Sequence, residues 1–252
     1  MSFLKIDNLS KRFGRLLAVN DVSLEIEQGE IVSVIGPNGA GKTTLFNLIS
    51  GRLKPDGGKV SFKGEDITGL PAHKIVRKSI ARSFQIANIY PNLTVYRNIR
   101  IPILSMRSRS RIFFRPIGSF EEENREALEV VRKLGLEEVK DLMADLLSYG
   151  DRKKVEFGMA IAMKPSLLLL DEPTAGMNQA ETAKTISLMR EMAREFGLTL
   201  ILTEHDMNVV FSLARRIIVM HQGMILCEGP PDQIRQDATV KKIYLGEENW
   251  LY

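Results

Sequence analysis

Short runs of alternating apolar and polar residues open the chain: "FLKIDNLSKRFG", "LLAVNDVSLEIEQGE" and, after a glycine turn, "KPDGGKVSFKGEDI". A period of two between turn signals predicts strands with one buried face. Between these runs, "EIVSVIG" is continuously apolar and leads through "PNGAG" into "KTTLFNLISG". There the spacing becomes helical, and Gly51 predicts a C-terminal cap. From about Asn88 to Lys164 the apolar residues fall three and four apart, as in "EENREALEVVRKLGL" and "DRKKVEFGMAIAMK". This predicts an inserted helical block. Strands then return between helices: "SLLLLDEP", helical "NQAETAKTISLMREMAREFG", "LTLILTEHD", helical "MNVVFSLA", and "RRIIVMHQG" turning into "MILCEG". Continuous apolar strands separated by helices predict a parallel sheet covered on both faces.

The expected fold class is therefore α/β, with a mainly parallel core sheet, an antiparallel β subdomain and an inserted helical subdomain. We expect one domain over 1–252: core and β subdomain in 1–87 and 165–228, helical subdomain in 88–164, and a tail over 229–252. The tail, "GPPDQIRQDATVKKIYLGEENWLY", is polar with helical stretches. A chain of 252 residues can bury a full core without staples. Its one cysteine, Cys227, excludes an internal disulfide, and "MSFLKIDNLSK" lacks the layout of a secretory signal, so a reducing, cytosolic setting is expected. No apolar run approaches the roughly 18 residues of a membrane span. Lys plus Arg exceed Asp plus Glu by 35 to 31, too mild an excess to imply nucleic acid. The excess is uneven, with Arg100, Arg107, Arg109, Arg111 and Arg115 close together in one stretch. A solvated loop is the first expectation for it; contact with lipid headgroups or a membrane partner is the second.

Two segments carry phosphate chemistry. "GPNGAGKTT" satisfies G-x-x-x-x-G-K-[ST] from Gly36 to Thr43, directly after an apolar strand and before a helix. Its glycines let backbone N–H groups wrap phosphate oxygens, Lys42 adds charge toward the β- and γ-phosphates, and Thr43 offers a hydroxyl to Mg²⁺. In "LLLLDEP", Asp171 ends a strand where it would hold Mg²⁺ through water, and Glu172 would polarise an attacking water. A third segment, "LSYGDRKKVE", reads as a helix mouth suited to an anion, with Ser148 and Gly150 at its start.

Taken in order, "GPNGAGKTT", "SFQ" with Gln85, "LSYGD", "LLLLDEP", "AGMN" and "TEHD" with His205 resemble the ordered motifs of ABC ATPases, the nucleotide-binding subunits of ABC transporters, a P-loop NTPase class. The resemblance implies ATP and Mg²⁺ as ligands, with Gly36, Pro37, Asn38, Gly39, Ala40, Gly41, Lys42, Thr43 and Thr44 on the phosphates. It implies that Phe13 in "KRFG" stacks on adenine, and that Gln85 senses Mg²⁺ and the attacking water while touching the transport partner. His205 would contact the γ-phosphate. Ser148 and Gly150 would close over ATP held by a second ATPase subunit, identical or related. The chain departs from the common "LSGGQ" at Tyr149 and Asp151, and has Asn178 where an aspartate is usual; a silent or asymmetric site is the second expectation these departures raise. "LSYGDRKKVEFG", "DEPTAGMNQAET" and the final "YLGE" are similar to the branched-chain amino acid importer branch, with importers of urea or short amides as close relatives. That branch implies two membrane-spanning permease subunits, an extracytoplasmic solute-binding protein and a peripheral place on the cytoplasmic face of the membrane. Ile86, Ile89, Tyr90 and Leu93 would then line a groove for a permease helix, with core packing as the competing expectation. A soluble ABC ATPase of translation or DNA repair is the rival class, but the chain has one cassette and no sustained heptads. A P-loop kinase or GTPase would have to explain the "LSYGD" segment, and the chain has no Asn-Lys-x-Asp motif.

Overall fold

Two sheets divide the strands of the computed structural model, which describes residues 2–83, 89–107 and 120–244. The first is antiparallel, in the order β2 (Leu16–Ile26), β1 (Leu4–Phe13), β4 (Gly57–Phe62), β5 (Glu65–Asp66). The second has six strands. Its order is β10 (Met224–Gly229), β9 (Arg216–His221), β3 (Ile31–Ile35), β8 (Thr199–Thr203), β7 (Leu167–Asp171), β6 (Ile80–Ser83). All its neighbours are parallel except the β9–β10 hairpin. Every residue of β3 and β8 is buried, as continuous apolar runs require when both faces are covered.

One face of the parallel sheet, with Val32, Leu169 and Ile201, packs on α1 (Lys42–Ile49) and the antiparallel sheet through Phe46, Leu4 and Ile6. The α1 helix ends as its spacing predicted, with Gly51 at φ +71° just beyond the C-cap Ser50. A short helix, α2 (Ala72–Arg77), follows β5. The opposite face, with Leu168, Leu170 and Leu202, packs on helices α3 (Val95–Met106), α4 (Glu121–Lys133), α5 (Tyr149–Ile161) and α6 (Gln179–Phe196) through Ile99, Val131, Ile161 and Met189.

The region after β10 is not merely a polar appendage. Helices α7 (Met207–Leu213), α8 (Pro231–Gln236) and α9 (Ala238–Tyr244) form a third core with Ile35 and Val219. Ile234 and Val240 are fully buried there, each contributing on the order of 1.5–3 kcal/mol of apolar burial.

The described part of the arginine-rich stretch, through Arg107, is helical and packed rather than a solvated loop. Arg100 lies buried within α3, its guanidinium 5.9 Å from the Tyr96 ring centre, and Arg107 caps that helix while pairing with Glu122 and Glu126 of α4. The pairing acids lie beyond the local sequence window, which is why they escape a reading by neighbours. Arg109, Arg111 and Arg115 lie outside the described residues, as do Gln85, Ile86 and the final "LGE".

Candidate functional site

Parallel register puts the candidate chemistry on one edge. Val34 of β3 and Asp171 of β7 both pair with Thr203 of β8, so the three strand ends lie level. The segments leaving β3, β7 and β8 carry Gly36–Thr44, Glu172 and His205, at the carboxyl ends where open α/β sheets bind ligands.

The phosphate loop is held in shape by its own backbone. Ala40 N–H donates to Pro37 O (3.1 Å), and Gly223 N–H, from the β9–β10 turn, donates to Ala40 O (3.0 Å). Gly41 sits at φ +103° and leaves no room for a side chain: a Cβ there would lie 2.4 Å from Ala18 O of β2. It opens α1 without a side-chain cap, so the first-turn N–H groups and the positive end of the helix dipole face the loop. Lys42 is buried and donates to Gly36 O (2.5 Å) and Pro37 O (3.2 Å), which keeps its ammonium across the loop mouth. The hairpin β1–β2, pressed on the loop through Ala18, carries Phe13 at its end, paired with Leu16. Phe13 is 45% exposed, with Lys11 Nζ 5.7 Å from its ring centre, and the open part of the ring is free to stack.

Asp171 uses both carboxylate oxygens. Oδ1 accepts from Thr203 Oγ1 (2.7 Å) and Oδ2 from Arg82 Nη2 (2.5 Å). Glu172 follows at φ +47°, a left-handed backbone that costs on the order of 1–3 kcal/mol in a non-glycine residue. Its N–H donates to Thr203 O (2.9 Å), which fixes that turn. The turn aims the side chain at His205, whose Nε2 lies 3.1 Å from Glu172 Oε1. The two sequence-predicted groups thus meet directly.

Glu204 has no role in the motif reading of "TEHD"; its one signal in the sequence is an acid directly before His205. It is 4% exposed; Oε1 accepts from Thr174 N–H (2.9 Å) and Thr174 Oγ1 (2.7 Å), and Oε2 from His205 N–H (3.3 Å). Burial pushes its carboxyl above the usual range, against the lowering effect of the Thr174 bonds. Glu204 therefore ties the turn after Glu172 to the histidine backbone.

Ser148 is the N-cap of α5: its Oγ accepts from Asp151 N–H (3.2 Å) and donates to Asp151 Oδ2 (2.8 Å). Asp151 also pairs with Lys154 (3.3 Å), so its charge is partly compensated. A Cβ at Gly150 would meet nothing within 4 Å, leaving that backbone open to close approach. Tyr149 lies under Lys153 Nζ, 5.8 Å from the ring centre. These residues line a cavity of about 510 Å³ with Glu181, Lys184 and Thr185 of α6. None of residues 36–44, Asp171, Glu172 or His205 lines it. Asn178 caps α6, with Glu181 completing a capping box.

The Thr43 hydroxyl and Asp171 carboxylate are hard oxygen donors of the kind magnesium takes. Among the described residues no group of three or more His, Cys, Asp or Glu side chains could hold a metal. An ion here would complete its shell with phosphate oxygens and water.

Comparison with known proteins gives consistent relatives. The profile of the ABC transporter family matches residues 19–175, and that of the branched-chain amino acid ATP-binding cassette transporter matches 224–249. The chain is 39% identical over 251 residues to the high-affinity branched-chain amino acid transport ATP-binding protein BraF of Pseudomonas aeruginosa, covering 97% of this chain and 98% of BraF. It is 35% identical over 248 residues to the lipopolysaccharide export system ATP-binding protein LptB of Escherichia coli, covering 98% and 99%. Among solved structures, the ADP conformation of MJ1267, an ATP-binding cassette of an ABC transporter, superposes with a TM-score of 0.87 at 31% identity, covering 98% of this chain and all of that one. The dimeric post-hydrolysis cassette MJ0796, bound to ADP and phosphate, gives 0.72 at 29% identity, covering 90% and 98%.

Proposed function

The chain belongs to the ABC transporter ATPases and is the ATP-binding, ATP-hydrolysing subunit of a transporter; from that premise we propose that it powers an importer of branched-chain or other hydrophobic amino acids. The observation that carries the dimer mechanism is the separation of its two anion-binding features. The phosphate loop shares one sheet edge with Asp171, Glu172 and His205, whereas Ser148 and Gly150 open a separate cavity. A site completed by Ser148 and Gly150 of a second copy or a related chain uses both.

In this reading Phe13 stacks on adenine, the N–H groups of the 36–44 loop bind the phosphates, and Lys42 exchanges its loop carbonyls for phosphate oxygens. Thr43 and Asp171 would hold magnesium, which would supply positive charge against the phosphoryl group being transferred. Glu172 takes a proton from the attacking water, and His205, hydrogen-bonded to Glu172, orients that carboxylate and reaches the γ-phosphate. Gln85 completes this role from outside the described residues. ATP joins two chains; loss of the γ-phosphate contacts on hydrolysis weakens that bond.

The helical block, 88–164, would carry the permease contact beside Tyr90 and Leu93, whereas Ile89 is partly buried against the helical core, as the competing expectation had it. Tyr90 is 47% exposed, and Leu142, Met143 and Leu146 nearby are also exposed, supporting an apolar docking face. The partners in this proposal are two permease subunits and a solute-binding protein on the far side of the membrane. No helix among the described residues is long and apolar enough to cross a membrane; as the ATP-binding partner of permease subunits, this chain would sit peripherally on the cytoplasmic face. The match over 224–249 favours amino acids over the lipid export that likeness to LptB would suggest. The test is purification of the tagged chain from membranes, identification of the bound permease, and uptake of labelled leucine by vesicles holding the complex. ATP-dependent uptake supports the proposal; a complex that moves only lipopolysaccharide, or no amino acid, overturns it.

A further inference from the structure

The ion pair beneath the phosphate-loop helix is a part of the site that no motif marks. Arg82 is the penultimate residue of β6, with its side chain 7% exposed, and its Nη2 donates to Asp171 Oδ2. Nη1 donates to Asn47 Oδ1 (2.7 Å) and Ser50 Oγ (3.3 Å), and the guanidinium carbon lies 5.7 Å from the Phe46 ring centre. Asn47 and Ser50 follow Thr43 by four and seven residues, so the three share one face of α1. The guanidinium therefore lies against the same helix face that presents Thr43, at the carbonyl-rich C-terminal end where a cation is favoured. Arg52 adds a second cation nearby: burial, then the charge of Arg82, pushes its guanidinium down.

We infer that Arg82 is the resident counter-ion of Asp171, a positioning residue that competes with magnesium for this carboxylate and so makes metal binding depend on the nucleotide. The inference rests on Asp171 serving the magnesium-nucleotide site proposed above. In the pair the structure shows, Arg82 neutralises Asp171, so a divalent ion arriving alone would meet an enclosed positive charge. With nucleotide, the phosphates supply enough negative charge to hold both cations. The device keeps the pocket from filling with free magnesium and couples metal entry to ATP. It follows from Coulomb repulsion in a poorly solvated place, where charge pairs are weakly screened.

The experiment measures Mn²⁺ binding to the full chain by electron paramagnetic resonance, with and without ADP, in wild type, Arg82→Gln, Arg82→Lys and Asp171→Asn. Arg82→Gln is expected to bind Mn²⁺ without nucleotide about tenfold or more tightly than wild type, and to need ADP less. Arg82→Lys, which keeps the charge but loses the forked contacts to Asn47 and Ser50, is expected to gain clearly less than Arg82→Gln. An Arg82→Gln affinity equal to or weaker than wild type overturns the inference, as does an equal gain in Arg82→Lys. If Arg82→Gln does not fold without metal, recovery of its circular dichroism on adding Mn²⁺ without nucleotide supports the inference, and recovery only when ADP is also present overturns it, marking Arg82 as a structural brace. Asp171→Asn separates the two levels: if Mn²⁺–ADP binding survives that change undiminished, the magnesium assignment of Asp171 fails and takes the inference with it. If binding is lost there while Arg82→Gln behaves as wild type, only the inference fails.

Discussion

Replacing Thr203 with valine probes the strand-end geometry on which Asp171 and Glu172 both rely. Thr203 is 1% exposed, and valine matches its shape while removing Oγ1. That hydroxyl donates to Asp171 Oδ1 at 2.7 Å and accepts weakly from Glu172 N–H at 3.3 Å. The Glu172 N–H keeps its shorter bond to Thr203 O, and Asp171 keeps Arg82, so neither is orphaned. The loss is then one hydrogen bond to a charged acceptor, about 2 kcal/mol. For a chain of this size that lowers the thermal midpoint by about 4–8 °C. The assay is thermal unfolding by circular dichroism, paired with magnesium-dependent ADP binding, which should weaken because Asp171 loses one of two restraints. Thr199→Val is the control: its Oγ1 accepts from Gly29 N–H (2.9 Å) at the far end of the same strand, so it should lower stability without touching ADP binding. A Thr203→Val midpoint within about 1 °C of wild type, or a Thr199→Val effect on ADP as large, would refute the reasoning.

Glu172→Gln should retain ATP binding, lose most turnover and trap an ATP-dependent dimer visible by size-exclusion chromatography; wild-type turnover by this variant rejects Glu172 as the base. Glu204 should make stability fall with pH. Burial raises its folded pKa above the unfolded value, so the folded state binds more protons between the two, and stability declines as pH rises through that window. Glu204→Gln should flatten this decline in urea midpoints measured across the window; an unchanged slope removes Glu204 as its source. Ser148→Ala should cost about 1 kcal/mol through loss of the α5 cap, measurable by unfolding of the isolated chain, separately from any effect on a partner's ATP.

The phosphate loop, the strand-end acids and the parallel sheet were legible because each is local: a fixed glycine spacing, a carboxylate closing an apolar run, strands without polar interruption. Arg82 and Glu204 were not. Arg82 reads as an ordinary charge at a strand end, since its partners Asn47 and Asp171 lie 35 and 89 positions away. Glu204 reaches Thr174 across 30 residues, a pairing set only by β7–β8 register. The docked tail escaped for another reason: α8 and α9 have six and seven residues, too few turns for a period to emerge around Ile234 and Val240. Similarly, Arg107 finds its acids only when α3 and α4 pack together.

Complementation in mixed dimers addresses the shared site most directly. Two differently tagged copies, one carrying Lys42→Ala and the other Ser148→Ala, are purified as the heterodimer and assayed for ATP hydrolysis beside each variant alone. If every pocket draws on two chains, the mixed pair places both lesions in one pocket and leaves the second intact, so activity returns to about half of wild type. If each chain hydrolyses ATP with its own Lys42 and its own Ser148, the mixed pair has no intact pocket, and it stays as inactive as its parents.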